Sequence, residues 1–274
     1  MDPNTLFSLQ GKVALITGGA TGIGHMAATG LVMAGAHVLI ASRKGAACEE
    51  SATALNSLDA PGSAAGFAAD LSTEAGIDAL VSEIGGRTDR LHILMNNSGV
   101  SWGAPMGQFP YDAWDKVMTL NVTAAFHLTQ TVLPTLIATA TPEDPSRVIN
   151  VGSVMGHMPL GDGAYSYAAS KAALHHLTEI MAKELASHHI TVNALAPGPF
   201  VSKMTAFATA DEDMRAKVGA DVPLGRVGRA EDIAGCMQFL CGQGGAYLTG
   251  AILPVSGGIQ VMSGPNLFRA ALEG

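Results

Sequence analysis

The sequence predicts a single α/β domain over residues 8–262, in which a doubly wound sheet of seven parallel strands carries helices on both faces. Seven short apolar runs alternate with longer segments of helical period. The runs show little polar alternation, which is typical of strands buried on both faces. No internal repeat and no long linker divides the 274 residues. This pattern indicates a Rossmann-type fold.

The apolar runs are the predicted strands, and the segments between them are the predicted helices. The strands are KVALI (12–16), HVLIAS (37–42), AAGFAAD (64–70), HILMNNSG (92–99), RVINVGS (147–153), ITVNALAPG (190–198) and AILPVSGG (250–257). The helices cover residues 22–35, 45–58, 73–85, 112–139, 165–187 and 230–241. Residues 199–225 interrupt the alternation after a strand's carboxyl end, where such sheets place substrate lids. Residues 263–274 form a C-terminal tail that covers a neighbouring subunit or frays.

Composition argues against several classes of function. A net charge of −8, with no dense run of Lys and Arg, argues against nucleic acid as a partner. No apolar run reaches the ~18 residues of a membrane span, and the first residues lack the pattern of a signal peptide. Cys48, Cys236 and Cys241 have no C-x-x-C spacing and are odd in number, so no disulfide framework is expected. We therefore expect a soluble, cytoplasmic protein without a membrane partner.

TGGATGIG (17–24) joins the first predicted strand to the first predicted helix. Gly18, Gly22 and Gly24 differ in spacing from the G-x-G-x-x-G fingerprint, but they meet the same physical demand. Glycine lets a pyrophosphate approach the backbone, and the helix N-terminus offers free N–H groups. Small residues at this place also permit tight strand–helix packing. Thr21 and Ile23 complete the predicted phosphate-binding turn.

The end of the second predicted strand indicates which dinucleotide binds. NAD sites place Asp or Glu there, whereas this chain has Ser42, Arg43 and Lys44. Cations hold a 2′-phosphate that an acid would repel, so NADP(H) is the predicted cofactor. The alternative is that both cations are solvated loop charges. Asp70 fits an acceptor for the adenine amino group, or else an ordinary turn aspartate that caps the helix starting near Ser72.

AYSYAASK (164–171) contains the predicted acid–base pair. Tyr167 and Lys171 are four residues apart and share one helix face, whereas Tyr165 faces elsewhere. A nearby ammonium is expected to lower the phenol pKa from ~10 toward the range useful for acid–base catalysis. Ser153, at the end of the fifth strand, and Asn121, which could hold a water and a backbone carbonyl, complete the predicted catalytic set.

These motifs together resemble the short-chain dehydrogenase/reductase family over nearly the whole length. The matching pieces are TGGATGIG, Asp70-Leu71, NNSG (96–99), Asn121, Ser153, YAASK (167–171) and Pro197-Gly198 followed by Ser202. Within the family, NNSGVSWGAP and SKAALHHL are most similar to 3-oxoacyl-carrier-protein reductases, especially the ketoreductase type of rhamnolipid synthesis.

The resemblance implies a role for each site residue. Tyr167 would protonate the substrate carbonyl oxygen, and Ser153 would hydrogen-bond it. Lys171 would bind the nicotinamide ribose and tune Tyr167, while Asn121 would support a water that links Lys171 to solvent. The implied cofactor-binding residues are Gly18, Thr21, Gly22, Ile23, Gly24, Ser42, Arg43, Lys44, Asp70, Leu71, Asn97, Ser98, Gly99, Tyr167, Lys171, Pro197, Gly198, Phe200 and Ser202. The family's fold has seven strands and is commonly tetrameric, so a homotetramer is expected.

Three positions depart from the family pattern. NNSG replaces the common NNAG, and Ser256 stands where a late DGG motif has Asp. Thr21 stands where many NADP-using relatives have Arg, so a 2′-phosphate would depend on Ser42 and Arg43.

Other side chains are candidates for the substrate pocket. They are Trp102, Met155, His157, Tyr165, Met204 and Phe207. Met and aromatic residues usually pack in cores, but together this set favours an apolar or acyl-like ketone. His175, His176 and Glu179 have a spacing that could bind metal on a helix, but a surface or interface role is the favoured interpretation, and no metal is predicted.

Three functions are compatible with these residues. The first is an NADPH-dependent ketone reductase. The second is an NAD(P)-dependent secondary-alcohol or hydroxysteroid dehydrogenase that works oxidatively. The third, from another class, is a non-catalytic dinucleotide-binding regulator, which would tolerate loss of Tyr167 or Lys171, although both are present.

Overall fold

The computed structural model describes residues 3–262, and these form one parallel sheet in the order β3-β2-β1-β4-β5-β6-β7. The strands are β1 (Val13–Thr17), β2 (His37–Ser42), β3 (Ser63–Ala68), β4 (Ile93–Asn96), β5 (Ser146–Val151), β6 (Ile190–Pro197) and β7 (Ile252–Val255). Each overlaps one predicted run, so the predicted fold class is confirmed. The predicted tail at 263–274 lies outside the described residues.

Helices cover both faces of the sheet. They are α1 (Pro3–Leu6), α2 (Gly22–Met33), α3 (Gly45–Asn56), α4 (Glu74–Gly85), α5 (Tyr111–Met118), α6 (Ala124–Thr139), α7 (Tyr165–Leu185), α8 (Ala206–Thr209), α9 (Glu212–Ala220) and α10 (Ala230–Cys241). Helices α2, α3 and α10 share one core with the sheet, and α4, α6 and α7 share the other. The single helix predicted at 112–139 is two helices, joined by a π-helical turn at Thr119–Thr123.

Strand residues alternate between the two cores, which explains the lack of polar alternation. Leu15 and Leu39 face one core, and their chain neighbours Ile16 and Ile40 face the other. All four are fully buried. Each such side chain contributes roughly 1.5–3 kcal/mol on burial, so register is fixed from both sides.

Arg147 is fully buried at the amino end of β5, the edge opposite the carboxyl ends of the strands. Its guanidinium donates to the carbonyls of Leu240 and Gly242 at 3.2 Å and to that of Pro145. These bonds satisfy carbonyl groups at the end of α10 and attach that helix to the sheet. The sequence interpretation did not identify this residue.

Residues 199–225 contain the short helices α8 and α9 and return to the sheet near β7. Val222, at the end of this segment, packs with Val154 and Ile259 in a small separate cluster. The segment therefore contacts the loop that follows Ser153. Among residues 3–262, no helix combines the length and the hydropathy needed to cross a bilayer.

Candidate active site

The glycine-rich turn has the backbone that a phosphate-binding loop requires. Gly18 and Gly22 have φ of +66° and +55°, a left-handed conformation that favours glycine. A Cβ on Gly22 would lie 3.1 Å from Cβ of Ser202, so the turn also lies close to the segment after β6. Helix α2 starts at Gly22, and among the described contacts its N-cap Thr21 makes no side-chain capping bond. The first N–H groups of α2 are therefore available to an anion.

Asn97 supports this turn from the neighbouring strand β4. Its Nδ2 donates to the carbonyl oxygens of Thr17 and Gly18, at 2.9 and 3.0 Å. The Thr17 hydroxyl accepts the N–H groups of Asn97 and Ser98 at 3.0 Å. A Cβ on Gly24 would lie 2.5 Å from Asn97 Nδ2, so Gly24 leaves room for the amide. Thr17 is a supporting residue that the sequence interpretation missed, although it begins the quoted motif.

The carboxyl end of β2 presents two exposed cations, Arg43 and Lys44. Ser42 Oγ accepts the N–H of Lys44 at 3.2 Å and lies 3.1 Å from Cys48 Sγ. These groups have the charge and the hydrogen-bonding capacity that a 2′-phosphate needs.

Asp70, at the end of β3, closes a turn. Its Oδ1 accepts the N–H and the hydroxyl of Ser72, at 3.0 and 2.8 Å, and these bonds lower the pKa of its carboxyl. Helix α4 is capped instead by Thr73, whose hydroxyl accepts the N–H of Gly76. The helix-capping alternative for Asp70 was therefore wrong, because α4 begins two residues later than expected.

Tyr167, Ser153 and Lys171 meet at the start of α7. The phenol of Tyr167 hydrogen-bonds the side chain of Ser153. The Lys171 ammonium lies 5.6 Å from the centroid of the Tyr167 ring and donates to the carbonyl of Val151 at 2.6 Å. Lys171 follows Tyr167 by one helical turn, as the spacing predicted, and reaches back to the end of β5.

Burial shifts both pKa values in the direction that favours the neutral form of each side chain. It lowers the pKa of Lys171 from 10.5 to about 8. It raises the pKa of Tyr167, while the hydrogen bond with Ser153 lowers it by less. We predicted that the pKa of the Tyr167 phenol is lowered by Lys171. That prediction was wrong, because burial disfavours the phenolate more than its hydrogen bond favours it, and the pKa is raised.

The Ser153 hydroxyl is oriented by the turn that it begins. Ser153 is the N-cap of a 3₁₀ turn at Val154–Gly156, and its Oγ accepts the N–H of Met155 at 3.2 Å. With that lone pair occupied, the hydroxyl hydrogen is available to donate. The backbone N–H of Ser153 in turn donates to Nε2 of His175 at 3.4 Å.

Asn121 lies in the π-helical turn and is buried. Its Oδ1 accepts the N–H of Val100 and its Nδ2 donates to the carbonyl of Val100, both at 2.9 Å. Nδ2 also donates to the Ser170 hydroxyl at 3.0 Å. The expected backbone carbonyl is thus that of Val100. A Cβ on Gly99 would lie 3.1 Å from Asn121 Oδ1 and 3.7 Å from Lys171 Nζ. The absence of a side chain at Gly99 therefore lets Asn121 and Lys171 lie close to its backbone.

The residues expected at the nicotinamide divide into two groups. Phe200 is 3% exposed, and its ring occupies the space that a Cβ on Gly228 would need. Its side chain packs in the core, and its expected contact with the cofactor remains a prediction. Ser202, which lies against Gly22, shares a hydrogen bond with the Thr205 hydroxyl at 2.9 Å. Pro197 and Gly198 lie at the end of β6.

Ser256 replaces the family's late aspartate without losing a partner. Its hydroxyl hydrogen-bonds the Gln260 side chain, and the following Gly257 and Gly258 have φ of +63° and +95°. A Cβ on Gly198 would lie 2.9 Å from Cα of Ser256, so the end of β6 packs closely on this turn.

Three of the apolar candidate pocket residues lie outside the core. Trp102, Met204 and Phe207 are 44%, 41% and 84% exposed, which excludes the core-packing alternative for them. Met155 and Tyr165 are half-buried, and the Tyr165 ring meets Phe109 edge-on at 5.8 Å.

The paired histidines of α7 have different environments. His176 is exposed and lies 3.2 Å from Glu179. His175 is 5% exposed, so the surface interpretation was wrong for this residue. It follows Lys171 by four residues and therefore shares the inward face of the helix. The candidate pocket residue His157 is exposed, but its ring packs against that of His175.

Comparison with known proteins agrees with this geometry. A family model described as short chain dehydrogenase matches residues 12–213. The rhamnolipids biosynthesis 3-oxoacyl-(acyl-carrier-protein) reductase of Pseudomonas aeruginosa is 47% identical over 255 residues, which are 93% of this chain and 98% of that protein. The 3-oxoacyl-(acyl-carrier-protein) reductase FabG of the same organism is 36% identical, over 92% of this chain and 98% of that protein.

A solved structure, the RhlG/NADP active-site complex of Pseudomonas aeruginosa, matches with a TM-score of 0.89 at 46% identity. The match covers 95% of this chain and 100% of that chain. The resemblance predicted from the motifs is confirmed, and the chain belongs to the short-chain dehydrogenase family.

Proposed function

We propose that the protein is an NADP(H)-dependent ketoreductase that reduces an apolar, 3-oxoacyl-like ketone to a secondary alcohol. The observation that carries the proposal is the meeting of Tyr167, Ser153 and Lys171 at the same sheet edge as the glycine-rich turn. The relatives named as 3-oxoacyl-(acyl-carrier-protein) reductases support the reaction class.

The turn and the end of β2 fit the proposed cofactor. The backbone at Gly18 and Gly22 and the free N–H groups of α2 suit a pyrophosphate. Arg43 and Lys44 suit a 2′-phosphate. The matching solved complex contains NADP. Bound NADPH supplies the hydride.

The protein's own residues would then manage the proton. Tyr167 holds its proton at neutral pH, since the ordinary pKa of a phenol is ~10 and burial raises it further, so it can donate that proton to the carbonyl oxygen. Ser153 donates a second hydrogen bond to the same oxygen. Lys171, with a pKa of about 8, is an ammonium at neutral pH and stabilises the phenolate that remains. Asn121 keeps the Val100 backbone beside Lys171, and its expected water remains a prediction.

The exposed apolar side chains near the site support the proposed substrate class. Trp102, Met204 and Phe207 offer exposed apolar surface. We assign residues 199–225 the role of a substrate lid within the single domain, since Met204 and Phe207 belong to this segment. An acyl chain would bury these side chains on binding.

NADPH consumption tests the proposal against a panel of 3-oxoacyl thioesters, 3-oxoesters, aryl ketones and steroid ketones, repeated with NADH. We expect turnover on 3-oxoacyl thioesters with NADPH preferred, and loss of turnover in Tyr167→Phe. Turnover confined to the oxidation of secondary alcohols would favour the dehydrogenase alternative. The absence of any turnover would favour the non-catalytic regulator.

We further propose a cytoplasmic homotetramer. Apolar side chains remain exposed on α5, α6 and α7, and burial between subunits would remove them from water. They are Trp114, Phe126, Ile137 and Ile180. The cysteines are unpaired within the described residues, which suits a reducing compartment. Light scattering after size exclusion should give four times the chain mass of 28.0 kDa, and a monomer would contradict the proposal.

A further inference from the structure

His175 lies directly behind the turn that carries the Ser153 hydroxyl. It is 5% exposed, and its Nε2 accepts the backbone N–H of Ser153 at 3.4 Å. Lys171 is one helical turn earlier on the same face of α7. The ring therefore adjoins two residues of the reacting set while taking no direct part in the proton transfer described above.

Two glycines leave room for the imidazole. A Cβ on Gly152 would lie 2.1 Å from Nε2 of His175, and a Cβ on Gly156 would lie 2.6 Å from its Cε1. Neither glycine could be alanine with the ring in place. The His157 ring covers the imidazole, with centroids 4.6 Å apart and planes inclined by 35°. The ring and the Ser153 turn are thus one packed unit.

The hydrogen-bond pattern determines the tautomer of His175. Nε2 accepts a hydrogen bond, so the hydrogen of the neutral ring is on Nδ1. Nδ1 is buried and has no hydrogen-bond partner among residues 3–262. Burial, His157 and Lys171 lower the pKa of His175 to about 4, against a smaller opposing effect of Glu179. The ring is therefore a neutral acceptor at neutral pH.

We propose that His175 is a positioning residue for the reduction: its neutral Nε2 holds the Ser153 N–H and so orients the Ser153 hydroxyl toward Tyr167 and the substrate carbonyl. This inference rests on the proposed function. A space-filling role alone would make any side chain of similar volume sufficient. A positioning role requires an acceptor at the place of Nε2.

Two substitutions separate these roles. His175→Gln keeps an acceptor near the Nε2 position, whereas His175→Leu keeps volume and removes the acceptor. His176→Gln, whose side chain is 76% exposed on the same helix, is the matched control. We expect His175→Leu to lower kcat at least about tenfold, as misplaced reacting groups do, with the KM for NADPH unchanged. His175→Gln and His176→Gln should stay close to the wild-type kcat.

Wild-type kcat in His175→Leu, or an equal loss in the Gln and Leu variants, would overturn the inference. A fall in kcat accompanied by weaker NADPH binding would also overturn it, because it would indicate general distortion of the fold. Failure of wild-type turnover on the whole ketone panel would instead remove the proposed function.

The tautomer can be measured in the wild-type protein without turnover. The full chain is labelled with ¹⁵N-histidine, and the His175 signals are assigned by their loss in His175→Gln. We expect Nδ1–H with Nε2 unprotonated, and no protonation between about pH 5 and about pH 8, the range in which ordinary histidines titrate. An Nε2–H tautomer, or titration near the ordinary pKa, would refute the acceptor role.

Discussion

Lys171→Met should stabilise the folded protein while it removes activity. Lys171 is 5% exposed, and burial lowers its pKa from 10.5 to about 8. Because one pKa unit corresponds to about 1.4 kcal/mol, the buried ammonium costs the folded state about 3 kcal/mol at neutral pH. The lost hydrogen bond from the charged Lys171 ammonium to Val151 offsets about 2 kcal/mol of the gain. The net gain of about 1 kcal/mol corresponds to a Tm increase of roughly 2–4 °C in a chain of this length.

The gain should depend on pH in a defined direction. A pKa lowered in the folded state means that the unfolded chain binds the proton more readily between pH 8 and 10.5. Wild-type stability therefore rises as pH increases through this window. The advantage of Lys171→Met is complete below about pH 8 and mostly gone by about pH 10.

The assays are thermal unfolding at neutral pH and at about pH 10, together with steady-state turnover. Lys183→Met, which removes an exposed lysine from the same helix, should leave Tm unchanged and is the control. We expect kcat of Lys171→Met to fall on the order of 10²-fold or more, because the cation that stabilises the phenolate is gone. A lower Tm than wild type at neutral pH, or a gain independent of pH, would refute the reasoning.

Three further predictions concern the same site. Tyr167→Phe should lower kcat on the order of 10²–10⁴-fold, the usual contribution of a positioned general acid. Its Tm in thermal unfolding should stay near that of wild type, since Met155 N–H still donates to Ser153. Arg43→Asp should shift the ratio of kcat/KM for NADPH and NADH toward NADH on the order of 10²-fold, because like charges in contact cost several kcal/mol. The pKa of His175 is lowered to about 4, so the free energy of unfolding of the wild type should fall by up to about 3 kcal/mol between pH 6.5 and 4. His175→Gln should not show this loss of stability in acid. Denaturant unfolding at about pH 5 and about pH 7 measures this difference.

Each of these predictions has an outcome that contradicts it. Unchanged turnover of Tyr167→Phe would exclude the phenol as proton donor. Arg90→Asp changes the net charge equally at an exposed loop, so an equal cofactor shift in that variant would show that Arg43 acts only through overall charge. Equal acid sensitivity of wild type and His175→Gln would mean that His175 does not titrate as described.

The sequence was sufficient to predict the positions of site residues that lie within or directly after one helix or strand. Tyr167 and Lys171 share a helix face, and Ser153 follows a strand, so local periodicity alone brings them to the same edge. The missed contacts join residues far apart in sequence. Thr17 accepts the N–H groups of Asn97 and Ser98, 80 and 81 positions later, and no local pattern indicates that pairing.

Burial was the other quantity that the sequence did not reveal. An aromatic residue after a Pro-Gly pair has the same local pattern whether it faces a ligand or the core, and only the space above Gly228 places Phe200 inside. The direction of the Tyr167 pKa depends in the same way on how far the phenol is removed from water. His175 and His176 differ by one helical step, and packing against Gly152 and Gly156 decides which of them is buried.

Part of the buried face of α7 is polar, whereas the buried face of a helix against a sheet is ordinarily apolar. Four polar residues on this face each hydrogen-bond a strand, a loop or the π-helical turn. These bonds join Ser170 to Asn121, Lys171 to Val151, His175 to Ser153, and Thr178 to Asn150.

An apolar face would let α7 rotate or slide by small amounts against β5 at little cost, because hydrophobic contact is not directional. Directional bonds at four points along the helix fix its rotation and its axial position. Tyr167 at the helix start is thereby held relative to Ser153 at the end of β5. The cost of burying Lys171 and the unpaired Nδ1 of His175 is therefore the energetic consequence of fixing this geometry, and removing the Lys171 ammonium should raise stability at the expense of turnover.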